Sequence, residues 1–252
     1  MKIISVFNQK GGVGKTTTVV NLAAALGRKN KKILVIDMDP QGNTTSGLGL
    51  EKTELSASIY ELLFNEASLE QSIVETQSKN VNLVPSNHNL SGFEIEAVNQ
   101  EGREELLLDA LQDLVDYDFV FIDCPPSLGL LSINALVVSD SVLIPIQSEY
   151  YALEGVSQLV NTINLVKRTL NSKLEIEGVL ISMFDGRNNL SLDVVEEVKT
   201  YFKDKVYKTI IPRNIRLAEA PSHGMSVLDY DEKSRGAEAY KKLANEFLRE
   251  NR

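Results

Sequence analysis

Cysteine, histidine and long apolar runs are what this 252-residue sequence has least of. A single cysteine, Cys124, excludes an internal disulfide and makes a reducing compartment the natural setting. The two histidines, His88 and His223, are isolated and lack ligand spacing. With one cysteine beside them they cannot assemble a metal centre, so both read as structural and Cys124 as a small buried residue. No apolar stretch approaches the ~20 residues needed to span a bilayer, and no secretory segment precedes the first apolar run at residue 3. Linkers, internal repeats and low-complexity tracts are also missing. The expectation is a soluble cytoplasmic protein with one domain over residues 1–252 and no helix-turn-helix domain at its N-terminus.

Positive charge is scarce overall, with 26 Lys and Arg against 35 Asp and Glu, a net charge of -9. Taken alone, that argues against nucleic acid as a partner, but the distribution is uneven. Residues 51–118 hold 3 basic and 15 acidic side chains, 3 − 15 = -12; residues 167–216 hold 10 and 7, 10 − 7 = +3. The acidity belongs to the first half.

What is present is a chain 43% apolar, ample for a buried core. Its β-branched runs "IISVF", "ILVID", "VNLVP", "FVFID", "SVLIPI" and "EGVLIS" read as strands buried on both faces. Helical periodicity separates them, over 15–27, 104–115, 127–139, 153–170, 191–202 and 234–249. Such alternation implies parallel strands joined by right-handed crossovers: an α/β fold, doubly wound, with helices on both faces of a mostly parallel sheet.

Between the first strand and the first helix lies "NQKGGVGKTT". The strict phosphate-loop pattern, Gly followed five and six residues later by Gly-Lys and then Thr, would need glycine at residue 9, where this sequence has Gln9. The physics survives that change. Gly11, Gly12 and Gly14 let backbone N–H groups curl around phosphate oxygens, and the following helix offers its positive N-terminus. Lys15 would reach the β- and γ-phosphates and the Thr16 hydroxyl would ligate Mg²⁺. Lys10 is left over, because a second ammonium beside Lys15 is repulsive unless further negative charge arrives to balance it.

"KGGVGKTT" resembles the deviant phosphate loop of the ParA/MinD ATPases. The resemblance implies that Lys10 reaches the phosphates bound by the other protomer of an ATP-sandwich homodimer. One lysine then serves its own nucleotide and the other its partner's. It also implies a nucleotide cradle formed by Lys10, Gly11, Gly12, Val13, Gly14, Lys15, Thr16 and Thr17.

Two further strands end in carboxylates. "ILVIDMDPQGNTT" puts Asp37 at a strand end and Asp39 just beyond, where ligands gather at the carboxyl edge of a parallel sheet. Asp37 is expected to face the Mg²⁺ shell and Asp39 to orient, or take a proton from, the attacking water; the simpler alternative is that both cap a turn. The catalytic set is therefore Lys10, Lys15 and Asp39. "YDFVFIDCPPSLG" supplies an apolar strand closed by Asp123, which would hold Mg²⁺ through water, making Thr16, Asp37 and Asp123 the metal set. Pro125, Pro126 and Gly129 would shape a loop that senses the γ-phosphate. No Asn-Lys-x-Asp guanine motif is visible, which favours ATP over GTP. By resemblance, Pro212 and Asn214 of "IPRN" line the adenine.

The effector surface could be DNA, a membrane or an electron-transfer partner. A bridging iron–sulfur cluster needs cysteines this chain lacks, and no tyrosine-rich tail of the tyrosine-kinase relatives is present. A MinD-like membrane-cycling ATPase that positions cell division is the alternative reading, with the last helix as its anchor. The stripe Ala237, Tyr240, Leu243, Ala244, Phe247 and Leu248 would serve that role, although packing on the domain is the simpler use, so no stable membrane anchor is expected. DNA leaves a better trace, since five basic residues between Tyr201 and Arg216 face Asp204 alone. "DGRNN", "IPRNIRLAEAPSHG", "DCPPSLGLLSINAL" and "EYYALEGVSQL" resemble the chromosomal ParA/Soj proteins. That resemblance implies non-specific double-stranded DNA binding through Arg187 and Arg216, nucleoid association, and ATP hydrolysis stimulated by a ParB-type partner during chromosome partition.

Overall fold

The computed structural model describes residues 1–148 and 152–251, so the first three residues of "EYYALEGVSQL" lie outside the described residues. Seven strands form one sheet: β1 Lys2–Val6, β2 Ile33–Asp37, β3 Val74–Glu75, β4 Val81–Val84, β5 Phe119–Asp123, β6 Ser141–Gln147 and β7 Glu175–Ser182. Their order is β3-β4-β2-β5-β1-β6-β7, parallel throughout except for β3, which runs antiparallel to β4 at the edge.

The pleat explains the sequence of the central strands. Along β5, Val120 and Ile122 enter one core while Phe119 and Phe121 enter the other, and all four are buried. Along β2, Leu34 and Ile36 divide from Ile33 and Val35 in the same way. With both faces covered by helices, such strands are apolar at every position instead of alternating.

The helix Lys15–Gly27 spans its predicted range, and the helices Ala152–Thr169, Asn189–Phe202 and Arg235–Glu250 depart from prediction by one or two residues at an end. Two shorten. The helical pattern of 104–115 gives only Leu106–Ala110, because Leu111 N–H donates to both Leu107 O and Leu108 O and the chain tightens to a three-residue spacing. That spacing carries Leu111 and Leu114 into the core together. The helix expected from Ser127 begins at Leu130, whose N–H donates to Glu94 Oε1 at 2.9 Å.

The final helix, Arg235–Glu250, lays its apolar stripe against the Lys15–Gly27 helix and the sheet. Ala237, Tyr240, Leu243, Ala244 and Phe247 are all at most 1% exposed. The Phe247 ring meets Phe119 edge to face with centroids 5.1 Å apart, and the Tyr240 hydroxyl lies 3.3 Å from Thr18 Oγ1. The stripe packs into the core, with Leu248 partly buried at its margin. Among the described residues, no helix is long and apolar enough to cross a membrane.

Candidate functional site

Three adjacent strands deliver the site. Val6 at the end of β1 is in register with Asp123 at the end of β5, and Asp123 with Asp37 at the end of β2. The loop 7–14 leaves β1 at this carboxyl edge, so the phosphate loop and both buried carboxylates meet where parallel sheets gather their ligands.

The loop is shaped for an anion. Gly12 and Gly14 have φ of 75° and 92°, open to glycine with little strain, and nothing stands within 4 Å of where a Cβ would lie on Gly11 or Gly12. Gly14 starts the Lys15–Gly27 helix with no side-chain cap, and no acidic residue lies in the first turn, which leaves the N-terminal dipole to an incoming anion. Ser182 at the end of β7 braces the loop by donating its hydroxyl to Val13 O at 2.7 Å.

The two lysines differ in setting. Lys15 is buried at 7% exposure with its ammonium 3.4 Å from Lys10 O. Burial pulls its pKa down, against the opposing pull of Asp123, Cys124 and Asp39. Lys10 is half-buried at the entrance of the loop, its N–H bonded to Asn8 Oδ1 at 3.0 Å.

Around the carboxylates the hydrogen bonding is dense. Asp123 Oδ2 accepts from Thr16 Oγ1 at 2.6 Å and Thr44 Oγ1 at 2.7 Å, while Oδ1 is buried with no partner among the described residues. Asp37 Oδ2 accepts from Thr45 N at 2.8 Å and Thr45 Oγ1 at 2.7 Å, and Oδ1 from Asp39 N at 3.2 Å. Both carboxyl pKa values are pushed up, Asp37 by burial and then by the charge of Asp123, and Asp123 by burial against its two hydroxyl donors. An orphaned carboxylate oxygen, a neighbouring hydroxyl and a second acid make an oxygen donor set that suits Mg²⁺. Asp39 is half-buried, and its Oδ1 accepts from Gln41 N at 2.9 Å, which closes a turn. Cys124 is fully buried and its thiol is pushed up chiefly by burial.

Beside the loop lies a cavity of about 250 Å³ whose walls include Gly14, Thr17, Met183, Pro212, Asn214 and Tyr240. The segment "IPRN" thus reaches the flank of the phosphate loop. Asn214 has a second duty, since its Oδ1 caps the helix Ile215–Glu219 by accepting from Arg216 N.

Arg187 and Arg216 lie on neighbouring segments at the β7 edge. Phe184 N donates to Ile211 O and Arg213 N to Phe184 O, both at 3.0 Å, which stitches the loop carrying Arg187 to the segment leading into Arg216. Both arginines are exposed and held by carboxylates: Arg187 by Asp185 at 2.6 Å, Arg216 by Glu219 at 2.7 Å and Asp231 at 3.2 Å. Between the final helix and residues 208–212, with Phe184 and Pro212 in its wall, runs a groove of about 1160 Å³. Lys29, Lys208, Lys233, Arg235, Lys242 and Arg249 line it against Glu238 and Glu246. Of these six only Lys208 was legible as part of a basic segment; the others come from distant positions joined by packing. Thr44 and Thr45 were also missed, though "NTT" directly after "DPQG" was the available signal.

A family model described as an AAA domain matches residues 1–176. The chain is 56% identical to the sporulation initiation inhibitor protein Soj of Bacillus subtilis over 246 residues, 97% of each chain. It is 51% identical to the chromosome partitioning protein ParA of Myxococcus xanthus, covering 98% of this chain and 88% of that one. A crystal structure of cobyrinic acid a,c-diamide synthase from Mycobacterium smegmatis, with bound ADP and magnesium, matches with a TM-score of 0.87 at 36% identity, covering 99% of this chain and 94% of that one. On this likeness over nearly its full length, the chain belongs to the Soj/ParA family of chromosome-partitioning P-loop ATPases.

Proposed function

We propose that this chain is an Mg²⁺-dependent ATPase that closes an ATP-sandwich homodimer, binds double-stranded DNA non-specifically in that state, and is released when a ParB-type partner stimulates hydrolysis. Chromosome origins would be moved or positioned by that cycle on the nucleoid. The observation that carries the reading is the pair of lysines in one glycine loop, Lys15 buried inside it and Lys10 at its entrance.

Each residue then has a task. The backbone of residues 11–17 and the Lys15 ammonium hold the phosphates. The low-polarity surroundings of Lys15 strengthen its attraction to an anion, and a bound phosphate offsets the cost of burying the ammonium. Thr16, Asp37 and Asp123 would hold Mg²⁺, which when bound spreads the charge of the β- and γ-phosphate oxygens. Asp39 orients the water that attacks the γ-phosphate. Lys10 adds its charge to the nucleotide of the facing protomer, so the dimer is stable only with nucleotide present. Pro212 and Asn214 flank the base. Arg187 and Arg216, with the basic groove, bind phosphates of the duplex without reading its sequence.

The test is co-sedimentation with non-specific duplex DNA in ATP, in ADP and without nucleotide, the native protein beside Arg216→Ala. Binding in ATP alone, lost in the variant, is the expected result. Binding in all three states, or in none, would overturn nucleotide-gated DNA binding.

A further inference from the structure

Two neighbouring threonines on one short helix, Asn43–Gly47, hold the two carboxylates that end β2 and β5. Thr44 donates its hydroxyl to Asp123 Oδ2 at 2.7 Å, and Thr45 donates N–H and hydroxyl to Asp37 Oδ2 at 2.8 and 2.7 Å. Both threonines are fully buried. Thr45 is itself fixed, because its Oγ1 accepts from Ser86 N at 2.9 Å. The helix has no side-chain cap of its own at Gly42, so Asp37 bonded to the N–H of its third residue takes that place.

On Asp123 the pattern is asymmetric. Two hydroxyl donors, Thr16 and Thr44, converge on Oδ2, and Oδ1 stays buried without a donor among the described residues. Two donors on one oxygen, coming from helices that follow different strands, fix the plane of the carboxylate; one alone would let it turn about its Cα–Cβ and Cβ–Cγ bonds. Both carboxylates are fully buried, so protein donors and not water hold their orientation. Outer hydrogen-bond partners of this kind set how well a carboxylate serves a cation.

We propose that Thr44 and Thr45 are positioning residues for the Mg²⁺–nucleotide site: Thr44 holds Asp123 with Oδ1 left for the cation's shell, and Thr45 holds Asp37 beside it. The inference rests on the Mg²⁺-ATPase reading above. It differs from a purely structural role, in which the hydroxyls serve only to fasten the helix Asn43–Gly47.

The experiment compares Thr44→Ala with Thr44→Ser, and Thr45→Ala with Thr45→Ser, in the full chain. Each pair differs by one hydroxyl at nearly constant volume, and Thr44→Val and Thr45→Val add the isosteric loss where they fold. Three quantities are read: urea stability without ligand, affinity for a fluorescent ATP analogue in EDTA, and the Mg²⁺ concentration that half-saturates the tightening of that affinity. Expected for Thr44→Ala is a rise of about tenfold in the Mg²⁺ midpoint, with affinity in EDTA unchanged and the midpoint restored by serine. Turnover should fall with KM for ATP little altered. Alanine and serine variants with the same Mg²⁺ midpoint, whatever their stability, would overturn the positioning role alone. A native protein whose ATP affinity ignores Mg²⁺ would overturn the Mg²⁺-ATPase reading and this inference with it.

Discussion

Gly49 and Gly224 touch: a Cβ on Gly224 would lie 2.7 Å from the Cα of Gly49, and one on Gly49 would lie 2.9 Å from the carbonyl oxygen of Gly224. Both have positive φ, 87° and 63°, a region costly for other residues. The contact joins the end of the segment that carries Thr44 and Thr45 to the turn that follows Arg216. There the carboxylate side of the site abuts the chain leading from the arginine face backbone to backbone. Gly224→Ala should destabilise the protein by about 1–3 kcal/mol, from φ strain and the backbone clash together. Urea denaturation of both proteins measures it; an unchanged midpoint would mean that the turn shifts freely.

The lysines should separate by function. Lys15→Ala is expected to abolish binding of a fluorescent ATP analogue, because the loop then lacks its buried ammonium. Lys10→Ala should retain that binding and fail to dimerise in ATP, which light scattering coupled to gel filtration reads directly. A Lys10→Ala protein that dimerises as the native chain does would remove the cross-protomer role.

Asp39→Ala should lower hydrolysis by at least about 100-fold while leaving ATP bound, so that a stable dimer accumulates. Its turn needs a control, since Oδ1 also holds Gln41 N. Asp39→Asn keeps that acceptor and still lacks the carboxylate, so both variants should be equally slow in single-turnover assays. Normal hydrolysis in Asp39→Asn would place the water-orienting group elsewhere.

Acidity should act on the ligand-free protein in two directions. Asp37 and Asp123 have raised pKa values, so the folded chain binds more protons than the unfolded one across the interval between the ordinary carboxylate value of about 4 and neutrality. Stability from this pair therefore rises as pH falls from neutrality. Glu177 opposes it at lower pH. Bonds from Lys2, Ser141 and Asn251 outweigh its burial and hold its pKa below the usual range, so its contribution is present above that range and lost as pH falls through it. Thermal melts should show a maximum on the mildly acidic side of neutrality without ligand, moving toward neutral pH with Mg²⁺ and ATP, where a cation replaces the proton. A melting curve flat from pH 5 to pH 8, intervals of about the width that the shifts cover, would contradict the burial of the pair.

How much of this was legible depends on which force fixes each part. The strands and the Lys15–Gly27 helix were readable because burial on both faces leaves apolar runs and a period, and the phosphate loop because its glycines are dictated by backbone geometry. The two residues of β3 carry no pattern, being a short edge held only by β4. The helix Asn43–Gly47 was invisible since "NTTSG" has poor helix propensity; bonds to Asp37 and Asp123 hold it instead. The basic groove needed the final helix in place on the sheet, a long-range fact that brings Lys29 near Lys242.

The arginine face should obey phosphate chemistry. Replacing Arg187 or Arg216 with alanine should weaken DNA binding uniformly across sequences while sparing ATP-dependent dimerisation, and each loss should reduce the log–log salt slope by about 0.9. In the free protein these cations are already engaged, Arg187 with Asp185 and Arg216 with Glu219 and Asp231. The Arg187 guanidinium holds the Asp185 carboxyl down to about 2, so this carboxylate stays charged and competes with DNA at any working pH. A duplex must displace those carboxylates before it gains the arginines. Glu219→Gln and Asp185→Asn should therefore tighten DNA binding, by about two- to fivefold given how weak exposed ion pairs are, with the gain shrinking as salt is raised. Fluorescence anisotropy of a labelled non-specific duplex across a salt series measures both effects. Weaker binding in Glu219→Gln would mean that Glu219 orients Arg216 for the phosphate rather than competing with it.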